Sequence, residues 1–283
     1  MKSKKVEKRP PRRKLRSVPK DHKDQVQQGE LSMKPVELMN IALKAGEIML
    51  TSGAEIYRVE ETIVRISNCY HVPCESFVLP TGIFISIQNE DGNAHTAFKR
   101  IRDRKVDLNR IERVNSLSRS LQNSKLSYEE IAEELMIIES TRQHIFSLRV
   151  AAAATSSFVF TVLFQGSWYD GMVAFAIGAI TYLLREILVR KGFFQFMEVF
   201  LAGLVAGILS IAAVQYFPFL NEYRIIIGSL MLYLPGISIT NGIKDALYGD
   251  LVASLTRLGE ALLLIAVLVS GVSIAIAFGT GWW

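Results

Sequence analysis

The residues best placed to do chemistry in this chain are charges set within or beside long apolar runs: Arg149, Arg185, Glu186, Glu198, Lys244, Asp245, Asp250, Arg257 and Glu260. A charge left in hydrocarbon is costly, so such side chains face a bundle interior or a wet cavity and handle an ion or a polar solute. Arg149, Lys244 and Arg257 can attract a carboxylate. Asp245, Asp250 and Glu260 can pair with an ammonium group or carry a coupling proton. Glu186 and Glu198 are further candidates for proton coupling, because a carboxylate on a short stem reaches the interface poorly, whereas Arg185, Arg190 and Lys191 read as snorkelling helix ends. The 234–245 segment, Leu-Pro-Gly-Ile-Ser-Ile-Thr-Asn-Gly-Ile-Lys-Asp, is the most informative. Pro235 removes a backbone donor and Gly236 loosens the chain, so a helix break is expected, with freed carbonyls satisfied by protein or water. Broken helices of this kind form transporter sites. Asn241 lies one turn from Asp245, on the same face, and can donate hydrogen bonds to a substrate. A plain proline kink is the bland alternative.

Catalysis is poorly provided for. Ser238 has no histidine in the apolar region to activate it, and the carboxylates there lack a metal-ligand pattern. No phosphate loop or nucleophile elbow occurs. Cys69 and Cys74 flank His71, too few ligands for a closed zinc site, and read as ordinary thiols. No enzymatic activity, cofactor or metal is expected.

The elements that must hold these charges are membrane helices. Apolar runs near 147–165, 169–189, 195–217, 223–241 and 258–279 are long enough for a hydrocarbon core of about 30 Å. Basic residues crowd the second and fourth connections (Arg185, Arg190, Lys191; Lys244, Arg257), which predicts a cytoplasmic N-terminus and, after five crossings, an external C-terminus. Trp168, Trp282 and Trp283 all fall on the outer side of that arrangement. Gly203 and Gly207 form a close-packing GxxxG pair. No apolar stretch near the start resembles a secretory signal, so the first membrane helix is expected to direct insertion.

Before the membrane region the pattern changes twice. Residues 1–33 form a basic tail: the first twenty residues carry a net charge of +9, against +5 for all 283, so the rest is acidic. Such a run beside membrane helices reads as a disordered cytoplasmic segment drawn to anionic lipid rather than as a nucleic-acid arm. Residues 34–146 read as a soluble α+β cytoplasmic domain. Val36, Met39, Leu43, Gly46 and Leu50, then Ile56, Val59, Ile63, Ile66 and Tyr70, mark two amphipathic helices. Ser52 and Glu55 read as a capping box opening the second, and Arg58, Glu61 and Arg65 as a solvated ion-pair stripe. A hairpin follows, with Ile83, Ile85 and Ile87 on one face and an Asp91-Gly92 turn. Two more helices carry Ile111, Val114 and Leu121, and, after a Ser127–Glu130 capping box, Ile131, Leu135 and Ile138. The fold class is thus an α+β cytoplasmic domain followed by an all-α membrane domain, 147–283, of about five helices.

Three stretches carry a family resemblance: Gly53-Ala-Glu-Ile-Tyr-Arg-Val-Glu-Glu-Thr62; Glu75-Ser-Phe-Val-Leu-Pro-Thr-Gly-Ile-Phe-Ile-Ser86; and Pro235-Gly236 with Asn241, Asp245 and Gly249-Asp250. Together they resemble the threonine/serine exporter family over nearly the whole chain after the tail. The resemblance implies efflux of small polar metabolites, threonine and serine in some members and small dicarboxylates in others. It also implies the larger component of a split system, whose small, wholly membranous partner subunit is encoded separately. Independently, five helices contain no obvious internal pair, so a second subunit or a homo-oligomer is expected to supply the other wall of a path. The competing classes are a membrane-anchored metabolite sensor, an intramembrane enzyme and a channel.

Overall fold

The computed structural model describes residues 33–88, 94–102, 104–141 and 145–279; the basic tail, the Asp91-Gly92 turn, Trp282 and Trp283 lie outside these described residues. Helix α1 (Pro35–Thr51) begins on a proline, whose missing amide costs nothing at that position. Its Leu38, Ile41, Ala45 and Ile48 are buried. It ends at Ser52, and Gly53, at φ 84°, turns the chain into α2 (Ile56–Cys69). The expected Ser52–Glu55 capping box is not formed. Ser52 is the C-cap of α1 and Glu55 itself is the N-cap of α2, so the left-handed glycine closes one helix where the Ser-x-x-Glu pattern was read as opening the next.

Strands β1 (Cys74–Leu79), β2 (Gly82–Gln88) and β3 (Ala94–Arg100) form an antiparallel sheet in that order. Period-two alternation puts Ile83, Ile85 and Ile87 on the face covered by α1 and α2, and the register Phe77–Phe84–Phe98 on the open face. Helix α3 (Leu108–Ser120) is capped by Asp107, and α4 (Tyr128–Ser140) by the expected Ser127–Glu130 box. Ile111, Val114, Leu121, Ile131, Leu135 and Ile138 all join the core.

Six further helices follow: α5 (Phe146–Leu163), α6 (Trp168–Arg190), α7 (Gln195–Tyr216), α8 (Glu222–Leu230), α9 (Gly236–Leu247) and α10 (Leu251–Gly279). Among the described residues, α5, α6, α7 and α10 are long and apolar enough to cross a membrane. A fifth span is formed if α8, its 3-10 extension and α9, bent by 57°, count as one. The bend falls at Pro235-Gly236, as the sequence predicts. Beyond it the chain changes neighbours: α8 packs on α5, α6 and α7, whereas α9 lies against α10.

The bundle is held by backbone approach. A Cβ added to Gly203 would stand 2.5 Å from the Leu268 carbonyl, and one on Gly207 would stand 2.5 Å from the Ala275 Cβ. On the facing helix, a Cβ on Gly271 would collide with the Phe200 carbonyl. The GxxxG pair therefore seats α7 on α10, where dispersion at short range replaces the absent hydrophobic drive. Gly271→Val is expected to lower stability by about 1–3 kcal/mol through overpacking, read as a drop in thermal midpoint in detergent. Gly259→Ala, where a Cβ meets open space and alanine favours the helix over glycine, is expected to hold or raise the midpoint.

Candidate functional site

The turn between α1 and α2 is inserted against α9 and α10, onto the residues that the sequence marked as chemical. Asp245 is fully buried; its Oδ1 accepts the Ile56 amide at 3.1 Å, and its Oδ2 lies 3.0 Å from Arg257 Nε. Ile56 is the first residue of α2, so the carboxylate caps that helix from a distant part of the chain and meets the positive end of its dipole. Asn241 Nδ2 donates to the Gly53 carbonyl at 2.9 Å, and Arg257 Nη2 to the Ala54 carbonyl at 2.7 Å. Lys244 Nζ donates to Glu55 Oε1 at 3.0 Å. Asp245 Oδ2 and Arg257 Nε face one another without hydrogen-bond alignment, and neither atom has a hydrogen-bond partner among the described residues.

Around this polar centre the two parts of the molecule are clamped further. The Tyr57 and Tyr248 rings stack at 3.8 Å, Arg104 pairs with Glu260 at 2.8 Å, and Ala253 of α10 is buried in the same core as the sheet isoleucines. The Lys105 and Asp107 amides bond the Thr51 and Ser52 carbonyls, bracing the turn from behind. Asp250 immediately precedes α10: its carbonyl accepts the Ser254 amide, and its charge is felt by Glu60 of α2.

Two carboxyls of α2 and its cap titrate in opposite senses. Burial pushes Glu55 up, but a hydrogen bond from its own amide, with Lys244 and Arg58, outweighs this and holds it below the usual glutamate value. Glu60 is pushed up by burial; the Val78 amide, 2.9 Å from its Oε1, offsets part of this, and the charge of Asp250 adds to the rise.

The other candidates lie elsewhere. Arg149 contacts Glu186 at 3.4 Å and the Tyr182 hydroxyl at 3.5 Å, with Arg190 on the same carboxylate and Phe146 under both guanidinium groups. Arg185 lies 3.5 Å from Glu198. The structure thus brings Asn241, Lys244, Asp245 and Arg257 together, sets Asp250 and Glu260 at their border, and separates Arg149, Glu186 and Glu198 into ion pairs between α5, α6 and α7. Glu55, Tyr57, Arg104 and Tyr248 went unrecognised in the sequence as parts of this joint. The only signal for Glu55 and Tyr57 was the Gly53–Thr62 motif, which shows the importance of the turn without saying what it touches; Arg104 and Tyr248 lie outside it.

The threonine/serine exporter (ThrE) family matches residues 40–279, a stretch that contains both the turn and α9–α10. The chain belongs to the threonine/serine exporter family. It is 25% identical over 247 residues to the "Probable threonine/serine exporter" of Mycobacterium tuberculosis, covering 85% of this chain and 46% of that protein. It is 24% identical over 248 residues to the "Threonine/serine exporter" of Corynebacterium glutamicum, covering 84% and 50%. The chain thus spans about half the length of these two relatives. Against the "Probable succinate transporter subunit YjjP" of Escherichia coli it is 21% identical over 247 residues, covering 86% and 95%. No solved structure matches it.

Arg257→Ala strands a buried carboxylate and is expected to cost about 3–5 kcal/mol in stability, whereas replacing both Arg257 and Asp245 with apolar residues of similar volume costs less; urea unfolding of the detergent-solubilised chain measures both. Glu60, raised in the folded state, contributes stability that is present below its unfolded value and lost as pH rises through the folded value. Glu60→Gln should therefore raise the thermal midpoint more at neutral pH than below the usual carboxylate range, and an equal change at both would contradict the assignment.

Proposed function

We propose that this chain is a subunit of a secondary exporter that moves small polar metabolites, threonine- and serine-like amino acids or small dicarboxylates, out of the cytoplasm. The observation that carries this reading is the buried Asp245–Arg257 pair, with Asn241 beside it, at the foot of a broken helix pair. Arg257 and Asn241 are donors suited to a substrate carboxylate. Asp245 is an acceptor suited to an ammonium group, and Lys244, half exposed at the rim, is suited to attract an anion or a second carboxylate. Broken helices expose backbone polar groups only where protein or a cavity satisfies them, which is where transporters bind solutes. Asp250 and Glu260 border the site, and Glu186 and Glu198, paired with arginines, are candidates for the coupling proton.

The relatives' names support both solute classes: one is called a "Probable threonine/serine exporter", another a "Threonine/serine exporter", and a relative of matching length a "Probable succinate transporter subunit". The word subunit supports a second chain, a small membrane protein of the same family or another copy of this one, as the remaining wall of the path. In this reading the chain sits in the cell membrane with its N-terminus and α+β part in the cytoplasm and its C-terminus outside.

Flux from proteoliposomes loaded with threonine, serine or succinate, with and without the candidate second subunit and across an imposed pH gradient, tests the proposal. Asp245→Asn and Asn241→Ala are each expected to cut efflux by at least about tenfold, a loss of ~1.4 kcal/mol in transition-state or binding free energy. Undiminished efflux in both variants, with the partner present, would sink the site assignment. Binding without flux in any reconstitution would favour the sensor reading instead.

A further inference from the structure

We propose that the 53–56 turn is a built-in occupant of the α9–α10 site, a plug that a solute must displace in order to bind. The proposal rests on reading that site as the solute site, and adds that its resting state is filled from within the chain.

The polarity of the turn carries the argument. It offers one N–H, from Ile56, to Asp245; two carbonyl oxygens, from Gly53 and Ala54, to Asn241 and Arg257; and one carboxylate, from Glu55, to Lys244. Those are the groups of a zwitterion: donors on one side, oxygen acceptors on the other. An ammonium group replaces the Ile56 amide on Asp245, and a carboxylate replaces the two carbonyls on Asn241 and Arg257. A second acid group takes over Lys244 from Glu55. Each protein side chain keeps a partner of the same sign through the exchange, so none is left buried and bare, the outcome that costs most.

The turn also leaves the site imperfectly filled. Asp245 Oδ2 and Arg257 Nε are buried, belong to side chains at least nine-tenths buried, and have no hydrogen-bond partner among the described residues. An ammonium group with three donors and a carboxylate with two oxygens can complete both atoms, which a single amide and two fixed carbonyls cannot. The turn is, moreover, able to leave as a unit. Its internal bonds, Gly53 and Ala54 amides to the Leu50 and Met49 carbonyls and Val59 amide to the Glu55 carbonyl, all lie within the α1–α2 hairpin and survive withdrawal. What must break is the set of contacts to α9–α10, including the Tyr57–Tyr248 stack, and, because the Lys105 and Asp107 amides hold Thr51 and Ser52, the Arg104–Glu260 pair and the seat of Ala253 must loosen with it. The apparent affinity for solute is then the intrinsic affinity scaled by the small fraction of molecules with the plug withdrawn.

A thiol reporter tests this without relying on transport. In the full chain with Cys69 and Cys74 changed to Ser, Ala54→Cys places a thiol in a fully buried position of the turn. Its rate of labelling by a hydrophilic maleimide is followed in nanodiscs. Ser52→Cys, also buried, serves as a second reporter should the first fail to fold. Asn241→Ala and Lys244→Gln are each expected to speed labelling without solute by at least about tenfold, since each removes a tether. Threonine or succinate is expected to speed labelling of the otherwise unmodified reporter. Labelling unaltered by both substitutions, or unaltered or slowed by both probes, overturns the plug. The two readings separate cleanly. Efflux with unresponsive labelling would leave the exporter assignment standing and remove the plug, whereas responsive labelling without efflux would keep the plug and remove transport.

Discussion

A carboxylate with no exposure to water organises this molecule. Asp245 cannot remain charged inside the protein without compensation, and its compensation comes from two directions, a guanidinium on α10 and the head of α2. One side chain thereby joins α9 and its sequence neighbour α10 to α2, whose first residue lies 189 positions away. The α+β part, α9 and α10 meet where that charge is satisfied.

The two kinds of contact in the structure have different physics. Within the bundle, glycine and small side chains let backbones touch, and such packing tolerates little sliding because every added atom collides. At the joint between the α+β part and α9–α10, the contacts to the turn are hydrogen bonds and ion pairs, flanked by the Tyr57–Tyr248 stack and the buried Ala253. A molecule built this way is stiff through its apolar helices and exchangeable at one polar seam. A mobile gate on a rigid path has the same division of properties.

Much of the fold was legible because it follows from periodicity. The alternation of Ile83, Ile85 and Ile87, the 3,4 spacing from Ile56 to Tyr70, and the Ser127–Glu130 box each correspond to one local geometry, and the structure has them. Pro235-Gly236 was legible as a break for the same reason, and Asn241 and Asp245 as sharing a face. The Ser52–Glu55 pattern misled because Ser-x-x-Glu looks alike whether it opens a helix or straddles the end of one, and only the left-handed Gly53 decides. The partners of the site were illegible on deeper grounds. Asn241, Asp245 and Arg257 bind main-chain atoms of residues 53, 54 and 56, and a backbone carbonyl has no residue type to read. Arg104 and Tyr248, by contrast, are common surface residues whose roles appear only when distant segments meet.

Helix α10 runs unbroken for 29 residues, about 43 Å at 1.5 Å per residue, against a hydrocarbon thickness of about 30 Å. Its excess of roughly 13 Å does not end in solvent, since Ala253 in its first turn is embedded in the core of the α+β part. As one continuous helix, α10 is seated at its start in the core of the α+β part and farther along on α7. Any rocking of the α+β part must therefore tilt the far end of that shaft, and with it α7, to which it is locked through Gly203, Gly207 and Gly271.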